Sequence, residues 1–127
     1  NDSKATNINS VEVAIESFNN IILILGGSLK GDVKFNQLIP KINERVNRVI
    51  CYGESRNYIS KQLKNIKCKI DLIENFETAI INSINSLEYH ESVLLSPGCA
   101  SFDQFVSYSD RGNKFKKIIN NYNVETN

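Results

Sequence analysis

Ser92-Val93-Leu94-Leu95-Ser96-Pro97-Gly98-Cys99-Ala100-Ser101-Phe102-Asp103-Gln104-Phe105-Val106-Ser107-Tyr108-Ser109-Asp110-Arg111-Gly112 contains a complete strand-to-helix transition. Val93 to Leu95 is a short apolar strand, and Ser96 to Ala100 is a turn of small residues. The turn delivers Ser101 to a predicted helix start, where Gln104 three residues on completes the form of a capping box. Backbone N–H groups at a helix start that follows a strand's carboxyl end are where α/β proteins receive anions and carboxylates. The segment is thus both a fold signal and a candidate ligand site.

The rest of the chain repeats this alternation. Val11, Ala14, Ile15 and Phe18 recur at helical spacing over residues 8–19, with Asn7 or Asn9 as N-cap. Ile21 to Leu25 is a continuous apolar run ending in Gly26-Gly27, the pattern of a buried parallel strand. Helices are predicted over residues 35–46, where Pro40 must fall in the first turn or delay the start, then 54–65 and 75–88. Strands are predicted at Arg48–Tyr52, Cys68–Ile73 and Ser92–Leu95, and two closing helices at 102–109 and 111–122. Strands alternating with helices imply βαβ units. The expected fold is a three-layer α/β domain, Rossmann-like, with a mostly parallel sheet flanked by helices.

At 127 residues the chain suits one domain able to bury a core without staples. Fifteen basic residues are interspersed with fourteen acidic ones, which gives no electrostatic footprint for nucleic acid. The longest apolar run is too short to span a membrane. Cys51, Cys68 and Cys99 are widely spaced and odd in number, so reduced thiols in a cytoplasmic protein are expected, without a disulfide framework or a zinc site. The chain starts at Asn1 and contains no methionine, and so reads as a piece of a longer protein.

Two loops at predicted strand ends carry the candidate chemistry. In Gly26-Gly27-Ser28-Leu29-Lys30-Gly31 the glycines permit close backbone approach and Lys30 can present an ammonium to an anion. The spacing is neither a P-loop nor Gly-x-Gly-x-x-Gly, and an ordinary turn with a solvated lysine has the same look. In the second loop Ser101 is either a plain helix cap or a ligand donor, and Tyr108 either packs in the core or walls a pocket. Asn1 to Asn7 is polar, a lead-in or hinge whose Asp2, Lys4 and Thr6 could meet polyphosphate or ribose. The single histidine, His90, lies in a polar turn before the last strand and reads as a surface residue, with no hydrolase triad expected.

Asn1-Asp2-Ser3-Lys4-Ala5-Thr6-Asn7, Leu25 to Gly31, Leu94 to Phe105 and Tyr108 to Gly112 together resemble, in order and spacing, the C-terminal domain of the D-glutamate-adding Mur ligases of peptidoglycan synthesis. The resemblance covers essentially the whole chain. It implies an ATP-dependent, amide-bond-forming cytoplasmic enzyme that activates UDP-MurNAc-L-alanine as an acyl phosphate, which D-glutamate then attacks. ATP and Mg2+ would be held on a preceding central domain and the UDP-sugar on an N-terminal one. No catalytic residue, metal ligand or cofactor would then belong to residues 1–127, and residues 1–7 would be the interdomain hinge. By the same resemblance, Lys30, Ser101, Tyr108 and Thr6 would bind D-glutamate, with Asp2 and Lys4 facing the nucleotide. The alternative, from another class, is a stand-alone α/β small-anion-binding or interaction module.

Overall fold

In the computed structural model, which describes residues 1, 7–29, 31–99, 101, 104–105 and 107–126, the apolar run Ile21–Gly26 forms the inner strand β1. It pairs in parallel with β2 (Val46–Tyr52) on one edge and β4 (Ser92–Gly98) on the other. The strand β3 (Lys69–Ile73) adds to β2, giving an all-parallel sheet of order β3-β2-β1-β4.

Every residue of β1 is buried, because helices cover both faces of the sheet. Ile21, Leu23 and Leu25 point to one face, where α1 (Ile8–Glu16), α2 (Ile39–Arg45) and α3 (Arg56–Gln62) contribute Val11, Ile15, Ile42 and Ile59. Ile22 and Ile24 point to the other, against Phe76, Ala79 and Ile80 of α4 (Phe76–Asn85) and Phe115 and Ile118 of α5 (Tyr108–Thr126). Each aliphatic side chain so buried contributes about 1.5–3 kcal/mol. The predicted three-layer architecture is therefore the one observed.

Local chemistry sets the helix starts. Asn7 accepts a hydrogen bond from the Ser10 N–H at 2.9 Å, Asn75 from Thr78 at 3.1 Å, and the Ser107 hydroxyl from Asp110 at 3.1 Å. Pro40 sits in the first turn of α2, where its missing N–H costs nothing, and a 3-10 turn (Phe35–Leu38) precedes it.

Helices α1 to α4 form within narrower bounds than expected, β4 runs on through Ser96 to Gly98 where a turn was expected, and three further features differ. The first helix stops at Glu16, with Ser17 as its C-cap and Asn20 at φ 54°, so Phe18 is exposed instead of in the core. The capping box at Ser101 is not formed: the Ser101 carbonyl accepts from the N–H groups of Gln104 (3.3 Å) and Phe105 (2.8 Å), closing a single turn. The Gln104 side chain does not return to Ser101 but bonds to the start of α4. Consequently the two closing helices predicted at 102–109 and 111–122 are replaced by this turn and one helix, α5, capped by Ser107 and running through Gly112.

Gly26 has φ 152°, and a Cβ placed there would lie 2.3 Å from the Tyr52 carbonyl oxygen. Gly26→Ala is therefore expected to lower the unfolding free energy by roughly 2–4 kcal/mol, measured by urea denaturation. Burial, with a smaller contribution from Cys99, pushes the Cys51 thiol up to about 12. The folded state thus holds this proton where the unfolded chain, titrating near 8.5, releases it. The associated stability is complete below that unfolded value and declines as pH rises toward 12. At pH 8 a thiol reagent should label the half-buried Cys68 first and reach Cys51 only after denaturant is added.

Candidate ligand site at the β1–β4 switch point

From β1 the chain moves outward to β2 and β3, then returns to lay β4 on the opposite edge of β1. Crossovers leaving in opposite directions open a crevice at the carboxyl ends of β1 and β4, the place where open α/β sheets take ligands. Gly26 and Gly98 face each other across that point. The glycine loop and the turn bearing Ser101 both begin there, so the two loops singled out in the sequence converge.

Cross-links among the loops fix this edge. The Gly27 carbonyl accepts from the Ser55 N–H at 3.3 Å, and the Tyr58 hydroxyl donates to the Val33 carbonyl at 2.7 Å, which restrains the far end of the glycine loop. Gly98 needs its positive φ of 72°, and a Cβ there would approach the Phe35 ring to 3.0 Å. Beyond it, buried Cys99 directs its thiol to the Ser55 hydroxyl at 3.8 Å.

Ser101 is 1% exposed, and its hydroxyl has no hydrogen-bond partner among the described residues. Buried polar atoms are nearly always satisfied, which makes this hydroxyl the candidate ligand contact among the described residues. A hydroxyl can donate to a carboxylate oxygen. The turn around it is held firmly. Gln104 donates to the Glu74 carbonyl at 2.9 Å and accepts from the Phe76 N–H at 3.1 Å. Phe105 packs edge-on against Phe76, whose centroid lies 4.9 Å away, and Phe76 packs likewise on Tyr52 at 5.0 Å. At the other end Arg111, fully buried, donates from Nη1 to the Cys99 carbonyl at 3.0 Å and to the Tyr52 hydroxyl at 3.3 Å.

Tyr108 opens α5 and is 47% exposed, one helical turn before Arg111, so it lies at the rim and not in the core. Lys30, Thr6, Asp2 and Lys4 lie outside the described residues. The ends of their segments are placed: Asn7 caps α1, and the Asn1 amide donates to the Gly112 carbonyl of α5 at 3.1 Å. His90 is exposed beside Tyr89. No group of three His, Cys, Asp or Glu among the described residues could hold a metal ion. No helix among them is long and apolar enough to cross a membrane.

Arg111 was not singled out from the sequence, although a signal exists. Tyr108, Arg111, Phe115 and Ile118 follow helical spacing, which puts the arginine on the same stripe as buried Phe115 and Ile118. Beside the turn, an open cleft of about 640 Å³ is lined by Gly53, Glu54, Arg56, Glu74, Asn75 and Gln104. Its charged lining is mixed, with Glu54 and Glu74 beside Arg56.

No family model matches the chain. UDP-N-acetylmuramoylalanine–D-glutamate ligase of Chlamydia abortus is 40% identical over 120 residues, covering 94% of this chain and 28% of that protein. The ligases of the same name from Christiangramia forsetii and Francisella tularensis subsp. tularensis are each 39% identical over 122 residues. These alignments cover 95% and 94% of this chain but only 27% and 29% of the relatives. The chain thus spans less than a third of the relatives' length. With close to two residues in five identical along nearly all of its length, it is homologous to a domain-sized portion of the UDP-N-acetylmuramoylalanine–D-glutamate ligases.

Proposed function

We propose that this chain is the C-terminal, D-glutamate-binding domain of an ATP-dependent ligase that joins D-glutamate to UDP-MurNAc-L-alanine in peptidoglycan synthesis. The observation that carries the reading is the buried Ser101 hydroxyl at the β1–β4 switch point, without a hydrogen-bond partner among the described residues, in a chain homologous to part of ligases whose name specifies D-glutamate. A dicarboxylate needs a donor for one carboxylate and a cation for the other. The Ser101 hydroxyl fills the first role, and Lys30, on the glycine loop, fills the second. Tyr108 at the rim packs against the ligand, and Thr6 adds a hydroxyl from the preceding segment.

Residues 1–7 act as the hinge to preceding central and N-terminal domains, with Asp2 and Lys4 facing the nucleotide. Bound ATP and Mg2+ supply carboxylate activation from those domains, in the cytoplasm, and this chain contributes the site for the incoming amine. It carries no catalytic residue of its own. Its part is to bind D-glutamate, orient its amine and exclude water around it.

In the intact ligase, Lys30→Ala and Ser101→Ala should each weaken D-glutamate binding by about one to two decades, equivalent to roughly 1.5–3 kcal/mol. Unchanged affinity in both variants would overturn the site and favour a module with another ligand. The isolated chain should neither hydrolyse ATP nor form the amide; turnover by the chain alone would overturn the division of labour.

A further inference from the structure

We infer that Arg111 is the positioning residue of this site: its buried guanidinium, bridging the Cys99 carbonyl and the Tyr52 hydroxyl, sets the turn that presents Ser101 to the ligand carboxylate. The inference rests on the D-glutamate reading above and adds to it the group that acts through Ser101. Burying a guanidinium is costly unless its donors are used. Here Arg111 is fully buried, and a single nitrogen, Nη1, makes both bonds. Tyr52 ends β2 in register with Gly26, so the guanidinium is referenced to the sheet itself. Cys99 follows Gly98 directly, and Ser101 lies two residues on. The bond to the Cys99 carbonyl therefore ties the backbone two residues ahead of Ser101 to the sheet.

The hydrogen bonds of Gln104 hold the far end of the turn, so Ser101 is set between two anchors on opposite sides. Arg111 also adds a positive charge beneath the turn, in surroundings of low dielectric where its field on an approaching carboxylate is weakly screened. A lysine keeps that charge but carries it on a shorter, flexible stem without the rigid planar group that sets the direction of both bonds. Geometry and charge are thus separable by substitution.

The test is steady-state kinetics of the intact ligase with D-glutamate varied, comparing Ser101→Ala, Arg111→Lys, Tyr52→Phe and the double variant Ser101→Ala with Arg111→Lys, each checked for an unchanged thermal midpoint. Arg111→Lys should raise KM for D-glutamate about tenfold, and Tyr52→Phe about threefold, with kcat at saturation within about twofold. In the Ser101→Ala background the Arg111→Lys effect should shrink below about twofold, since a residue acting through Ser101 has nothing left to position. An undiminished effect there would mean a role independent of Ser101 and overturn the inference. So would an unchanged KM in Arg111→Lys while Ser101→Ala raises it, an outcome that leaves the D-glutamate site standing. If Ser101→Ala itself changes nothing, the site reading falls first and takes this inference with it. Should Arg111→Lys lower the thermal midpoint, Tyr52→Phe, which keeps the ring packed on Phe76, carries the same comparison alone.

Discussion

A strand without a polar side chain, β1 sets its row of N–H and C=O groups against β2 on one edge and β4 on the other, and its side chains against helices on both faces. Satisfying both edges in parallel leaves no hairpin solution, so every neighbour must be reached by a crossover carrying a helix. Covering both faces then requires crossovers on both sides of the sheet. The switch point at Gly26 and Gly98 follows from that packing.

The turn after β4 uses this crevice by replacing regular structure with specific side-chain bonds. A helix starting at Ser101 would spend the Ser101 hydroxyl on its own cap. Instead Ser107 caps α5, Gln104 satisfies backbone groups at the start of α4, and Arg111 takes the Cys99 carbonyl. These substitutions leave the Ser101 oxygen buried without a partner among the described residues. A buried unsatisfied hydroxyl costs on the order of 1–3 kcal/mol. The aromatic ladder Tyr52–Phe76–Phe105 and the filled core beneath it offset that cost. The stability of this turn and the placement of Ser101 thus draw on the same few residues.

The layer architecture was legible because β1 has an unambiguous period: every residue is apolar, and the glycines end it. The helices of residues 54–65 and 75–88 were legible for the same reason, though each forms within narrower bounds. Phe18 misled because its spacing matches a helix that the backbone at Ser17 and Asn20 ends first. The capping box at Ser101 misled, since a serine with glutamine three residues on has that form. Nothing local reveals that the glutamine finds backbone groups on α4, far off in sequence. Arg111 escaped for the converse reason. Its helical stripe was visible, but a charged residue is assigned to solvent unless its buried partners, Tyr52 and Cys99, are known. Where a side chain's partner is distant along the chain, sequence periodicity carries no information about it.

The pairing of β1 with β4 also has a consequence in time. Strands β1, β2 and β3 follow one another and can associate as soon as they are made, whereas Ile21 meets Ser92 only after most of the chain has been traversed. Closing so long a loop is the slow class of event in a parallel sheet. Until it happens, one edge of β1 stays bare and the crevice has a single wall. Both walls of the candidate site therefore come together only through a pairing between parts of the chain far apart in sequence.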